Sequence, residues 1–202
     1  MSDSARLVID SFGRWLNNLG ALSLDGRHGF TALAFNRRGT NGLGGTPPRF
    51  AAWAEGPNGV VAVESRHRDR LTPQPASTAA SFFQTLTDKR RSSPLLGDMK
   101  RLAMAADYVQ LDAVALIKSY TGLAHAGGHA TLLYLFQEPL QSTPESLKHR
   151  KEVAAFAKAA DLPGARFAAL SYSELWASWE QQVEPAWLAG HAATLRRKHE
   201  EA

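Results

Sequence analysis

A carboxylate stands at the end of an apolar run near the middle of the chain. The run Val60-Val61-Ala62-Val63 has the composition of a buried strand, and Glu64 follows it directly. A carboxylate in or near a core is retained only if it is paired or binds a cation. Glu64 is therefore either a metal-binding or catalytic acid, or a rim residue that forms an ion pair with Arg66 or Arg49.

Glu64 belongs to the second strand of a predicted antiparallel hairpin. Strand-like runs at 49–55 and 60–67 flank Gly56-Pro57-Asn58-Gly59, a sequence typical of a turn. If the turn leaves Glu55 opposite Val60, side chains on one face repeat every second residue. That register predicts three further facing pairs, which are Trp53 with Ala62, Ala51 with Glu64, and Arg49 with Arg66.

The elements around this hairpin alternate between helical and strand-like patterns. Helices are predicted at 7–19, 76–87 and 98–123, after Thr143-Pro144, and from the capping-box string at 171–174. Strands are predicted at 29–35, 130–136 and 166–170, and the continuous apolar run at 130–136 indicates a parallel, central strand. The order predicts an α/β fold with a mixed central sheet, which contains the antiparallel hairpin and is flanked by helices.

Composition bounds the class of protein. The chain has 202 residues, of which 44% are hydrophobic and 21% charged, so we expect a single folded domain over residues 1–202. The sequence contains no cysteine, which excludes disulfides, thiolate metal sites and cysteine nucleophiles. No apolar run approaches the roughly 20 residues that span a bilayer. These observations predict a cytoplasmic protein that does not enter a membrane.

Basic residues are concentrated in one part of the chain. Between Arg27 and Arg101 there are 12 lysines and arginines against five acidic residues, although the net charge of the whole chain is only +4. A segment of this composition suits a polyanionic partner such as DNA. The alternative is a solvated basic face with no partner.

Long strings of the sequence resemble one known family. They are residues 11–15 (SFGRW), 40–51 (TNGLGGTPPRFA), 61–66 (VAVESR), 108–113 (YVQLDA), 131–139 (TLLYLFQEP) and 167–176 (FAALSYSELW). Together they resemble, in the same order, bacterial restriction-endonuclease-like proteins of the PD-(D/E)XK nuclease superfamily. The resemblance covers nearly the whole chain and implies a restriction-endonuclease-like fold. Members of that family usually have further sequence ahead of the part matching Ser4, so an N-terminal part is expected to be missing here.

The resemblance also implies a Mg²⁺-dependent phosphodiesterase site on the hairpin. In that chemistry an aspartate and a glutamate on facing strands hold the ion, and a lysine two residues after the glutamate orients the attacking water. Glu64 is the acid that this chain retains. Arg66 replaces the lysine, while Ala51 and Asn36 occupy positions where the family has acids. The site is therefore expected to be degenerate, with Glu64 and Arg66 as its candidate catalytic residues.

Three residues have candidate roles in this altered site. Asp69 is a candidate second ligand that would hold Mg²⁺ together with Glu64. The guanidinium of Arg66 stays protonated, so it suits phosphate binding and cannot act as a general base. Gln110, which matches a family glutamine, either contacts nucleic acid or braces the site. The candidate nucleic-acid-binding residues are Arg49, Arg66, Arg68, Arg70 and Gln110.

Three functions are compatible with these patterns. The leading one is a degenerate endonuclease-like protein that binds DNA and cleaves it weakly or not at all. The second is an active Mg²⁺-dependent DNA endonuclease with relocated metal ligands, and Mg²⁺ is expected only if activity is retained. The third is a non-catalytic scaffold or a subunit of an oligomer.

Overall fold

The structure is a computed structural model and describes residues 3–40, 47–67 and 94–200. Five β-strands in this part are β1 (Ala32–Arg38), β2 (Arg49–Gly56), β3 (Gly59–Arg66), β4 (Ala130–Phe136) and β5 (Ala165–Ser171). The described α-helices are α1 (Asp3–Phe12), α2 (Pro94–Ala103), α3 (Ala113–His125), α4 (Pro144–Ala159), α5 (Tyr172–Glu180) and α6 (Leu188–His199). Short 3₁₀ helices at Gly13–Asn17 and Leu19–Ala21 follow α1. None of the helices described is long and apolar enough to cross a membrane.

The five strands form one mixed sheet in the order β1-β2-β3-β4-β5. Strands β1, β2 and β3 are antiparallel neighbours, whereas β3, β4 and β5 run parallel. The predicted register of the hairpin is confirmed at Glu55 with Val60 and at Trp53 with Ala62. The α/β class with a mixed sheet flanked by helices is likewise confirmed.

Each face of the sheet is covered by a separate apolar cluster. In the first cluster, alternate sheet residues such as Ala62, Leu132 and Phe167 pack against α2, α3 and α4. In the second cluster, the intervening residues, such as Val63 and Leu133, pack against α1, α5 and α6. Because β4 is buried along its whole length, its sequence is a continuous apolar run.

Side-chain caps begin the helices on either side of β5. Thr143 and Ser146 form a capping box at the start of α4, and Ser171 and Glu174 form another at the start of α5. Each box satisfies backbone N–H groups that have no partner within the first turn of a helix. Both helix starts agree with the sequence prediction.

The helix predicted at 98–123 is wrong, because the structure has two helices there. Helix α2 ends at Ala103, and α3 begins at Ala113. Between them, the backbone N–H groups of Val109, Gln110 and Leu111 donate to the carboxylate of Glu152, at 3.0, 2.8 and 2.7 Å. These N–H groups therefore bond to a side chain of α4 rather than to a preceding helical turn.

Two other boundaries differ from the prediction. The first helix ends at Phe12, and Gly13 begins a 3₁₀ segment, consistent with the low helix propensity of glycine. Strand β1 covers Ala32–Arg38 rather than 29–35. The helix predicted at 76–87 lies outside the described residues.

Candidate functional site

Glu64 lies near the end of β3, on the face that holds the first cluster. It is beside Tyr134 of β4 in the parallel ladder, and the hydroxyl of Ser119 on α3 donates to its Oε1 at 2.6 Å. Ser119 is fully buried. The carboxylate therefore points into the layer between the sheet and α3 and is held by a hydrogen bond from that helix.

Arg66 lies two residues further along the same face and forms an ion pair with Asp112. Its Nη1 is 3.4 Å from Oδ2 of Asp112, and the side chains are 13% and 33% exposed, respectively. The other oxygen of Asp112 accepts the backbone N–H of Ala115 at 3.1 Å and caps α3. Asp112 thus ties the end of β3 to the start of α3.

Burial raises the pKa of Glu64 to about 7. The hydrogen bond from Ser119 lowers this pKa, the negative charge of Asp112 raises it, and the positive charge of Arg66 lowers it. Glu64 therefore binds a proton at a higher pH than an exposed glutamate does.

The donors of this region do not fit a resident Mg²⁺ ion. Mg²⁺ needs near-octahedral coordination by hard oxygen atoms, usually from ionised carboxylates and waters. Here Glu64 is partly protonated at neutral pH, while Asp112 is engaged by Arg66 and by the N-terminus of α3. Across the described ranges, no group of three or more His, Asp or Glu side chains is arranged to hold a metal.

A second buried polar pair lies beside Arg66. The hydroxyl of Tyr134 is 2.9 Å from Nε2 of His149, a residue of α4 with no exposed surface. Burial, together with the charges of Arg66 and Arg150, lowers the pKa of His149 to about 4. The imidazole is therefore neutral at physiological pH, and its Nδ1 has no hydrogen-bond partner among the described residues.

The predicted pairing of Ala51 with Glu64 is wrong. The ladder between β2 and β3 ends at Ala52 with Val63, one residue earlier. Ala51 packs against the second cluster, as Ala52 does, whereas Glu64 bonds to a helix of the first cluster. Since two successive residues of β2 contact the same cluster, the alternation of strand side chains is broken at Ala51.

Asn36 explains why the alternation breaks at this point. In β1 it falls between Phe35, opposite Ala52, and Arg37, opposite Phe50, so it is level with Ala51 but not paired with it. Its φ is +53°, a left-handed conformation that asparagine tolerates better than most residues. Its Oδ1 accepts a hydrogen bond from Arg49 at 3.1 Å. Asn36 therefore has a structural role in β1, and strand β2 lies between it and Glu64.

Arg49 is paired with Arg38 of β1, and its predicted pairing with Arg66 of β3 is not part of the β2–β3 ladder, which ends at Ala52 with Val63. Arg38 and Arg49 are cross-strand partners in β1 and β2, and both are exposed. They lie at the same end of the sheet as Arg66, because β2 runs antiparallel to its two neighbours. We call Arg38, Arg49 and Arg66 the basic end of the sheet.

Gln110 is not on a helix but in the segment before α3. It is 6% exposed, its backbone N–H bonds to Glu152, and its Oε1 has no hydrogen-bond partner in the part of the chain that the structure describes. This burial favours the bracing role over direct contact with nucleic acid. The other candidate residues, Arg68, Asp69 and Arg70, lie outside the described residues.

Sequence reasoning did not identify Asp112 or Ser119 as partners of the site. Asp112 precedes the helical run Ala113-Val114-Ala115-Leu116, which is an N-cap signal. That signal was obscured because the apolar stripe suggested one continuous helix. Ser119 has no sequence signal of this kind, because its role depends on α3 packing over β3.

No family model, curated protein or solved structure matches this chain. Fold and site define an α/β protein with a mixed five-stranded sheet and a cluster of mutually paired ionisable groups at the carboxyl end of β3. The resemblance to the PD-(D/E)XK superfamily stays a prediction.

Proposed function

We propose that the protein binds duplex DNA at the basic end of the sheet and cleaves it weakly or not at all. The observation that carries this proposal is the cross-strand pair of Arg38 and Arg49. Like charges directly opposite each other destabilise an antiparallel pair. A phosphate between the two guanidinium groups would remove that repulsion.

The environment of the two arginines supports this role. Arg37, next to them, is already paired with Glu55 and lies over the ring of Trp53. Arg49 donates to the neutral side chain of Asn36, and neither Arg38 nor Arg49 has a carboxylate partner within the described part of the chain. Their charge is therefore available to an external anion.

Weak or absent cleavage follows from the pairing around Glu64. Asp112 neutralises Arg66, and Ser119 binds Glu64, so the groups that would activate water or hold a metal bond to one another. Ala51 provides no acid and packs against the other face of the sheet. Binding then depends on exposed arginines, while the altered catalytic position contributes to the stability of the fold.

A Mg²⁺-dependent endonuclease with relocated ligands is the second candidate. It is favoured by the position of Glu64 two residues before Arg66, which pairs with a second carboxylate, Asp112. In this case an ion would have to displace Arg66 from Asp112 and deprotonate Glu64. Asp69, outside the described residues, would provide the further ligand named by the sequence.

Binding and cleavage of a fluorescent duplex of about 20 base pairs, with EDTA or with Mg²⁺, separate these functions. We expect binding in EDTA that weakens with salt, with a slope of log K against log salt of about −0.9 per phosphate contact. Removing both charges in Arg38→Ala/Arg49→Ala should reduce that slope by about 2. Lys158→Ala is the control, because Lys158 is exposed near the end of α4, at the opposite end of the sheet.

Each other outcome identifies a different function. Mg²⁺-dependent cleavage that Glu64→Ala abolishes would establish the second candidate. If the protein does not bind DNA even at low salt, the third function, a non-catalytic scaffold or a subunit of an oligomer, is favoured. If the double variant binds as the wild type does, with the same salt slope, DNA contacts another surface and the proposal for the basic end is wrong.

A further inference from the structure

The two edges of the sheet differ in their chemistry. Edge strand β1 contains the left-handed Asn36 and the adjacent charges Arg37 and Arg38, features that oppose pairing with another strand. Edge strand β5 is paired with β4 at all seven positions, and no strand of the described ranges lies on its other side. Its centre, Ala168-Ala169-Leu170, is half-buried and uncharged.

A groove runs along the β5 edge, between this strand and α4. It encloses about 300 Å³ and is lined mainly by apolar residues, including Val153, Ala154, Ala157, Ala169 and Leu170. Ala154 and Ala157 are exposed on α4, so small side chains flank the edge and leave room for another strand and its helix. The edge is therefore sterically accessible at residues 167–170.

Opposite charges lie at the two ends of this edge. Arg166, near the start of β5, has a side chain that is 64% exposed and is 3.1 Å from Asp25. Glu174, in the first turn after β5, lines the other end of the groove, where its Oε1 is 3.4 Å from Nη1 of Arg150. An antiparallel copy of the same strand would bring Arg166 of one copy towards Glu174 of the other.

We propose that β5 pairs with β5 of a second copy of this chain, antiparallel and about a two-fold axis at Ala168. This register puts Phe167 beside the partner's Ala169, so a large side chain adjoins a small one on the face of the first cluster. Ala168 adjoins the partner's Ala168, and no like charges are opposed. The pairing joins the two sheets into one of ten described strands, and it satisfies the N–H and C=O groups along both edges.

The experiment is the oligomeric state of the full chain, measured by light scattering after gel filtration and by sedimentation. We expect a mass near twice 22.0 kDa that decreases towards 22.0 kDa on dilution from about 200 to about 1 µM, as mass action requires. Ala154→Arg adds a bulky charge at an exposed position in the groove and should weaken the dimer at least about tenfold. Ala193→Arg, the same change at an exposed position on α6, should leave it unchanged.

A second variant tests the two-fold axis directly. Ala168→Glu should oppose two carboxylates at the axis and abolish the dimer, and circular dichroism reports whether its fold is kept. Three results would overturn the proposal: a wild type that is monomeric at every concentration, a dimer that Ala154→Arg leaves intact, or equal weakening by Ala154→Arg and Ala193→Arg. None of these depends on whether the protein binds DNA.

Discussion

Replacing Glu64 by glutamine should stabilise the protein increasingly as the pH rises above 4.5. Burial raises the pKa of Glu64 from 4.5 to about 7, so between these values the folded state holds a proton that the unfolded state has released. The stability due to this proton is complete below pH 4.5 and is lost as the pH rises through 7. At about 1.4 kcal/mol per pKa unit, ionisation of Glu64 costs the folded state about 2 kcal/mol at pH 6 and about 3 kcal/mol at pH 8.

Glutamine removes this cost but keeps the shape of the side chain. Its amide oxygen can accept the hydrogen bond that Ser119 donates to Glu64. The free energy of unfolding of Glu64→Gln, relative to the wild type, should therefore be near zero at pH 4 and should rise to about 3 kcal/mol at pH 8. Urea denaturation of both proteins at pH 4, 6 and 8 measures this difference.

The free energy of unfolding must be compared between the wild type and Glu64→Gln, because a second group, His149, changes the stability of both proteins with pH in the opposite direction. His149 has a pKa lowered to about 4, so its protonation destabilises the folded state as the pH falls from 6.5 to 4. This contribution is present in both proteins and cancels in the comparison. The exposed Glu184 provides the control Glu184→Gln. A stability difference for Glu64→Gln that does not change with pH would refute the argument that burial governs this carboxyl group.

Three further changes test the structural roles assigned to the site. Ala51→Asp should not create a Mg²⁺ site, and calorimetric titration with Mg²⁺ measures this. The variant should instead destabilise the protein by a few kcal/mol in urea denaturation, because the new carboxylate adjoins the second cluster. Asn36→Ala should cost about 1–2 kcal/mol in urea denaturation, with Asn36→Gly closer to the wild type, because φ is +53°. Glu152→Gln should cost about 2–4 kcal/mol, since an amide cannot accept all three N–H groups, and faster hydrogen exchange at 109–111 would report it.

The sequence was sufficient for features that depend on neighbours along the chain. The turn at Gly56-Pro57-Asn58-Gly59 fixes the hairpin register near Glu55 and Val60. This is possible because the two strands are consecutive in sequence and the turn between them sets which residues are opposite each other. The caps at Thr143 and Ser171 are equally local. For these elements, turn chemistry, capping and hydrophobic pattern agree.

Features that depend on distant residues were not predictable in this way. The register fails at Ala51 because Asn36, in another strand, adopts a left-handed conformation. The helix predicted at 98–123 is interrupted because Glu152, some 40 residues later, binds its backbone. Ser119 is a partner of Glu64 only through the packing of α3 on β3. In each case a tertiary contact prevails over a local pattern.

The order of the strands has a consequence for how the chain folds. Within the antiparallel part, partners are close in sequence, since Ala32 pairs with Glu55 and Gly56 with Gly59. In the centre of the sheet, however, Val60 pairs with Ala130 about 70 residues later. Closing this long loop costs more chain entropy than forming either neighbouring unit, so the hairpin and the β4-α4-β5 unit should form first. The β3–β4 ladder then determines the folding rate, and Glu64 and Ser119 come together only at that late step.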